Sequence, residues 1–159
     1  MENEYRKKDN KGREKMVSEF GKAYIMYFTP EQTNPVDFYL TARTHSEKTY
    51  VGDVKAYIDT EHPREYSKFI KNEKDYGYMI DLNKLREIKK IAMNQGRTPI
   101  LLAYFTDFTI IWNLNNMPWE TRCEWRYVNK DGCHYGEEKE WELMTYLYKK
   151  EAVYAKPTK

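Results

Sequence analysis

Between residues 36 and 58 the chain twice alternates apolar and polar side chains. In VDFYLTA, Val36, Phe38, Leu40 and Ala42 share one side and Asp37, Tyr39 and Thr41 the other; in TYVGDVKAYI, Val54, Ala56 and Ile58 oppose Asp53, Lys55 and Tyr57. A period of two belongs to a half-buried strand. The short polar RTHSEK between the two runs predicts a hairpin.

Upstream, Met16, Val17, Phe20, Ala23, Tyr24 and Tyr27 recur at three-and-four spacing, which predicts a helix over Lys11 to Tyr27 with Gly21 as its weak point. TPEQTNP then reads as a loop. Downstream, a helix is expected from Arg64 to Lys71, and Tyr78 to Ile80 is either a strand or an extended connection. The next helix is better marked. Asp81 caps it, Leu82, Leu85, Ile88 and Ile91 form its stripe, and Gly96 followed by Pro99 stops it.

ILLAYF at 100 to 105 is continuously apolar, as a strand covered on both faces must be, and FTIIWNL at 108 to 114 follows it after a turn at Thr106-Asp107. Beyond Met117, Trp119, Trp125, Tyr127, Trp141 and Tyr146 alternate with charges around the turn signal NKDG, so one or two C-terminal hairpins should extend the core sheet. The expected architecture is α/β or α+β, a mixed sheet flanked by helices. It forms one domain over 1–159, with a core at about 11–114 and a C-terminal β extension at 115–159.

Composition narrows the function classes. Hydrophobic residues at 40% and aromatics at 16% provide a core despite 33% charged residues, which excludes a disordered chain. The net charge of +2 is too small to signal a nucleic-acid partner by itself, so an anionic ligand must meet a local patch. The charged N-terminal segment lacks the apolar centre of a secretion signal, and no apolar run nears the ~20 residues that span a bilayer. A cytosolic, membrane-free protein is expected. Cys123 and Cys133, even with His134, lack the four closely paired ligands of a structural zinc site and read as reduced thiols.

Four acid-x-Lys triplets occur: Asp9-Lys11, Asp53-Lys55, Glu87-Lys89 and Glu137-Lys139. Glu87 and Lys89 fall on a predicted helix, where residues two apart point in different directions; the first and last lie in charged segments. Asp53 and Lys55 alone share a strand face, about 6 to 7 Å apart along the backbone. If Ala42 pairs near Lys48 or Thr49, Asp37 lies opposite Asp53 or within one residue of it. Facing carboxylates repel unless a cation lies between them. Two carboxylates with the Val54 carbonyl suit Mg²⁺, and Lys55 beside them could orient or deprotonate a water. The competing reading is a solvated strand face with a weak ion pair.

Pro35-Val36-Asp37 followed by Asp53-Val54-Lys55, preceded by a helix and followed by a helix and an apolar strand, resembles the PD-(D/E)xK nuclease superfamily over about residues 11–114. The match departs from the commonest pattern in having Val36 between Pro35 and Asp37 and Asp53 in place of Glu. The resemblance implies a restriction-endonuclease-like fold and Mg²⁺- or Mn²⁺-dependent hydrolysis of DNA, with Asp37 and Asp53 binding the metal and Lys55 assisting attack of water. It also implies an acid from the first helix, either Glu14 or Glu19, with Glu14 preferred. DNA is the expected partner and a homodimer a conceivable assembly; a catalytically inactive DNA- or protein-binding module is the alternative. Lys84, Arg86, Lys89, Lys90 and Arg97 supply cations that could meet phosphates.

Overall fold

The apolar run beginning at Thr98 becomes the interior strand of a six-stranded sheet because both of its faces are covered. In the computed structural model, which describes residues 4–30, 34–58, 62–70, 77–129 and 139–158, the strands in chain order are β1 (Tyr24–Phe28), β2 (Phe38–Ala42), β3 (Thr49–Ala56), β4 (Tyr78–Asp81), β5 (Thr98–Tyr104), β6 (Phe108–Asn113), β7 (Cys123–Asn129), β8 (Lys139–Leu147) and β9 (Tyr154–Pro157). The two α-helices are α1 (Glu4–Phe20) and α2 (Leu82–Gln95). The main sheet runs β1-β2-β3-β5-β6-β9, antiparallel except for β3 beside β5, whose parallel pairing requires a crossover that contains α2.

Alternation sorts the side chains onto two faces. Phe38, Leu40, Val54, Ala56, Ile100, Leu102 and Tyr104 pack with Met16 of α1 on one face, and Val51, Leu101, Ala103 and Phe105 pack with Leu82, Leu85, Ile88 and Ala92 of α2 on the other. α1 approaches β3 closely through Gly12, where a Cβ would lie 2.9 Å from Val54 Cγ2. α2 begins and ends as its sequence dictates. Asp81 accepts a hydrogen bond from the Asn83 N–H at 2.8 Å, and Gly96 takes the left-handed conformation, φ 65°, that closes the C-terminus.

Three expectations are corrected. The first helix does not continue to Tyr27; it ends at Phe20, and residues 24–28 form β1 on the sheet edge. Tyr24, Met26 and Phe28 satisfy a period of two as readily as a helical stripe, and aromatic residues pairing with β2 favour the strand. The helix expected from Arg64 is a 3₁₀ segment over Tyr66–Ile70, fastened by Asp107, whose carboxylate accepts from the N–H groups of Tyr66 (2.7 Å) and Ser67 (3.1 Å). The C-terminal hairpin does not extend the main sheet. β7 and β8 join β4 in a separate three-stranded sheet, order β4-β8-β7, and only β9 adds to the main one. The core is shared all the same, since Trp119 and Leu147 pack in the same cluster as Val51 and Leu101. Among the described residues no helix is long and apolar enough to cross a membrane. Cys133, His134 and the NKDG turn beyond Asn129 lie outside the described residues.

Candidate functional site

The hairpin register fixes where the two acids meet. β2 pairs with β3 as Phe38↔Gly52, Tyr39↔Val51, Leu40↔Tyr50 and Thr41↔Thr49, one of the two registers that the loop length allows. Asp37, one residue before β2, leaves the ladder. Its N–H still reaches the Gly52 carbonyl (2.9 Å), its own carbonyl accepts from the Thr29 N–H (2.9 Å), and its carboxylate turns into the gap left where β2 stops. There Asp37 Oδ2 accepts a hydrogen bond from the Val54 N–H at 3.1 Å. The Asp37 carboxylate thus rests on the peptide that joins Asp53 to Val54. A strand residue directs its N–H and C=O to the same edge, so the Val54 carbonyl opens toward this gap too.

Asp53 emerges on the α2 face and is 1% exposed. Its Oδ2 pairs with Lys84 Nζ from the first turns of α2 at 3.2 Å and with Lys55 Nζ at 3.7 Å. Its Oδ1 is buried and has no hydrogen-bond partner among the described residues. A buried carboxylate oxygen left unpartnered costs free energy on the order of 1–3 kcal/mol or more, and such a cost persists in functional sites where a ligand removes it. From the opposite face, α1 presents Arg13, whose guanidinium lies 4.0 Å from Asp37 Oδ1 and over the Phe28 ring at 5.4 Å.

The row continues one residue past the end of β3. Tyr57 stacks on Phe105, its hydroxyl lies 2.5 Å from that of Tyr78, and Arg64 sits over its ring at 5.9 Å. Burial, then the adjoining Tyr57 and the charge of Asp53, push the Tyr78 hydroxyl well above its ordinary pKa. It remains a neutral O–H near the carboxylate. The fold therefore sets Arg13 beside Asp37 on the α1 side and Lys55 and Lys84 beside Asp53 on the α2 side, the two acids linked through the peptide that joins Asp53 to Val54.

Other candidates are placed elsewhere. Glu14 is exposed and pairs with Lys11 at 3.9 Å, and Glu19 pairs with Lys15 at 3.6 Å, both along the helix surface. α1 presents a cation, not either of these acids, to Asp37. Among the described residues no group of three or more His, Cys, Asp or Glu side chains could hold a metal ion. Arg97 stacks on Tyr39 and donates to the Leu40 and Tyr50 carbonyls, which makes it a tie within the hairpin. Lys89 pairs with Glu120 on the outer side of α2. His45 is exposed beside Glu47, and His62 is exposed.

Helical spacing groups Lys84 with the other basic residues of its helix without linking it to Asp53, and no sequence pattern singles out Arg13. Lys84 lies three residues after the capping Asp81, a position that faces whatever the first turn of the helix covers. That was the available signal. Comparison of this chain with protein families, with curated proteins and with solved structures finds no match.

Two carboxylates, one of them with an unsatisfied oxygen, and a main-chain carbonyl are oxygen donors of the kind a hard divalent cation takes. The three surrounding cations suit an anionic ligand such as a phosphodiester.

Proposed function

We propose that the chain is a divalent-cation-dependent nuclease of the PD-(D/E)xK type, on a restriction-endonuclease-like fold, which hydrolyses phosphodiester bonds in DNA. The observation that carries this reading is the buried, unpartnered Oδ1 of Asp53, two residues from Lys55 on one strand face and joined through the Val54 peptide to the carboxylate of Asp37. The order of elements supports it as well: a helix, a hairpin bearing both acids, a second helix and a buried parallel strand.

In this reading Asp37, Asp53 and the Val54 carbonyl hold Mg²⁺ or Mn²⁺. Bound there, the ion supplies Lewis-acid polarisation of the phosphodiester. Lys55 orients the attacking water and offsets charge that builds on the non-bridging oxygens; the water oxygen bonds to phosphorus and gives up a proton to solvent as the bond from phosphorus to the leaving sugar oxygen breaks, and that oxygen takes up a proton from solvent. Lys84 and Arg13, released from the carboxylates, face the phosphate backbone.

The test is incubation of the purified protein with single-stranded, double-stranded and branched DNA, with and without Mg²⁺ or Mn²⁺. Metal-dependent products that vanish in Asp53→Ala and Lys55→Ala are expected. Products that form without metal, or persist in those variants, would sink the proposal.

One observation favours a second reading. Asp53 and Asp37 already face three cations, and neither Glu14 nor Glu19 of α1 reaches them, each pairing with a lysine of its own helix. A binding-only module for DNA or protein would keep this arrangement as a charge-balanced structural cluster. Calorimetry separates the two, since the binding-only form takes up no Mn²⁺ in an Asp37- and Asp53-dependent manner.

A further inference from the structure

Among the described residues, the second sheet ends in a strand that has no strand paired to its outer edge and carries exposed aromatic side chains on one face. β7 is the last strand of β4-β8-β7, and among the described residues no strand pairs with its outer side. Its register with β8 is unbroken from Cys123↔Thr145 to Asn129↔Lys139, so no bulge twists the edge away. The strand CEWRYVN contains neither Pro nor Lys, the residues that commonly blunt such edges. Its exposed face carries Trp125 (64% exposed) and Tyr127 (55%), beside Trp141 (65%) of β8, with the Tyr127 and Trp141 rings 5.3 Å apart. The opposite face holds Glu124 and Arg126, paired at 3.1 Å.

Charge order along β7 selects an occupant. When an antiparallel copy pairs about a two-fold normal to the sheet, directly opposed residues lie on the same face. Centring the axis on Trp125 sets Glu124 against the copy's Arg126, and Arg126 against the copy's Glu124. Centring it on either neighbouring residue sets Arg126 on Arg126 or Glu124 on Glu124, which repel. The charges that would blunt an edge against strangers are therefore self-complementary in one register. In that register Trp125 meets Trp125, Tyr127 meets Cys123, and the aromatic faces of both copies run together.

We propose that β7 is a dimerisation edge, pairing with β7 of a second copy about a two-fold axis at Trp125 and joining two three-stranded sheets into one of six strands. This is independent of the nuclease reading. The test is sedimentation equilibrium of the full-length protein over a concentration series. The wild type should dimerise, Arg126→Glu should be monomeric at concentrations where the wild type is dimeric, and the exchanged variant E124R/R126E should recover the dimer. Recovery also removes misfolding as the cause of the single variant's behaviour, since the exchanged chain carries the same substitution at 126. A wild type monomeric throughout, an Arg126→Glu variant as dimeric as the wild type, or an exchanged variant that stays monomeric would each overturn the proposal. A monomer whose Trp fluorescence is quenched by an oligothymidylate would overturn it in favour of base stacking on the same aromatic face.

Discussion

Asp37 Oδ2 takes the hydrogen bond of the Val54 N–H at the place where β2 no longer supplies a ladder partner for β3. One side chain thereby completes the sheet edge and sets a carboxylate against the backbone of Asp53. The structural and chemical roles of Asp37 can be separated. Asn at this position retains an acceptor for the Val54 N–H but carries no charge. Asp37→Asn should stay within about 1 kcal/mol of wild-type stability in urea denaturation, the scale of one hydrogen bond. In the proposed function the same variant loses Mn²⁺ binding by calorimetry. A variant that unfolds, or that binds Mn²⁺ as the wild type does, contradicts this division of roles.

Lys84 holds Asp53 Oδ2 more closely than Lys55 does, at 3.2 Å against 3.7 Å. It competes with any cation for that oxygen. The Lys84 end of this pair is partly exposed but the Asp53 end is buried, so the surface-pair value of about 1 kcal/mol is a lower bound, and Lys84→Met should tighten Mn²⁺ binding by about fivefold or more. Because the same ammonium is proposed to meet the phosphate, DNA cleavage should slow in this variant. Calorimetry and cleavage assays on one preparation check both directions. Weaker Mn²⁺ binding would mean that Lys84 assembles the site instead of competing for it.

The two strands of the acid-bearing hairpin and the second helix are legible because local chemistry alone determines them. The alternation around Asp53 and Lys55 survives as a strand, and Asp81 and Gly96 act as caps at the expected ends. Residues 24–28 are not legible in the same way. Their aromatics fit either period, and the choice rests on pairing with β2, which no window of sequence contains. The site divides along the same line. Asp37, Asp53 and Lys55 follow from strand period and loop length; Arg13 and Lys84 come from helices whose docking angle is a tertiary matter. The pairing of β4 with β8 links positions about 65 residues apart, a separation at which propensity gives no guidance.

Asp107 ties the 3₁₀ segment to the β5–β6 turn. Burial pushes its carboxyl up, but the hydroxyl of Ser67 and the N–H groups of Tyr66 and Ser67 together outweigh this and hold it below its ordinary value. A carboxyl depressed in the folded state contributes stability that is complete above the unfolded pKa and is lost as pH falls through the folded one. Wild-type stability should therefore decline on acidification below about pH 4. Asp107→Asn should show a shallower decline in the same range when urea unfolding is repeated across pH. At neutral pH, Asp107→Ala should cost about 1–3 kcal/mol through its lost hydrogen bonds. An unchanged acid slope in Asp107→Asn would assign the titration to other carboxylates.

Gly52 and Gly12 both lie against neighbours, yet their replacement by Ala should have unequal consequences. A Cβ on Gly52 would fall 1.9 Å from the Ile100 carbonyl oxygen and 2.9 Å from its carbonyl carbon. Both are main-chain atoms of β5, so relief requires β3 and β5 to separate next to Asp53. Overpacking that side chains can absorb costs about 1–3 kcal/mol, and a clash with a paired strand should reach or exceed the upper end of that range. A Cβ on Gly12 meets Val54 Cγ2 at 2.9 Å, with Val54 Cγ1 and Ala56 Cβ at 3.4 Å; all are side-chain atoms, so a small outward shift of α1 relieves the contact without parting paired strands. Gly12 also lies inside α1, where Ala gains about 1 kcal/mol of helix propensity. Gly12→Ala should therefore change the denaturation midpoint little. Gly52→Ala should lower it sharply or prevent folding. Equal effects from the two substitutions would show that β3 and β5 are not in the close register that places Asp53 beside Lys84.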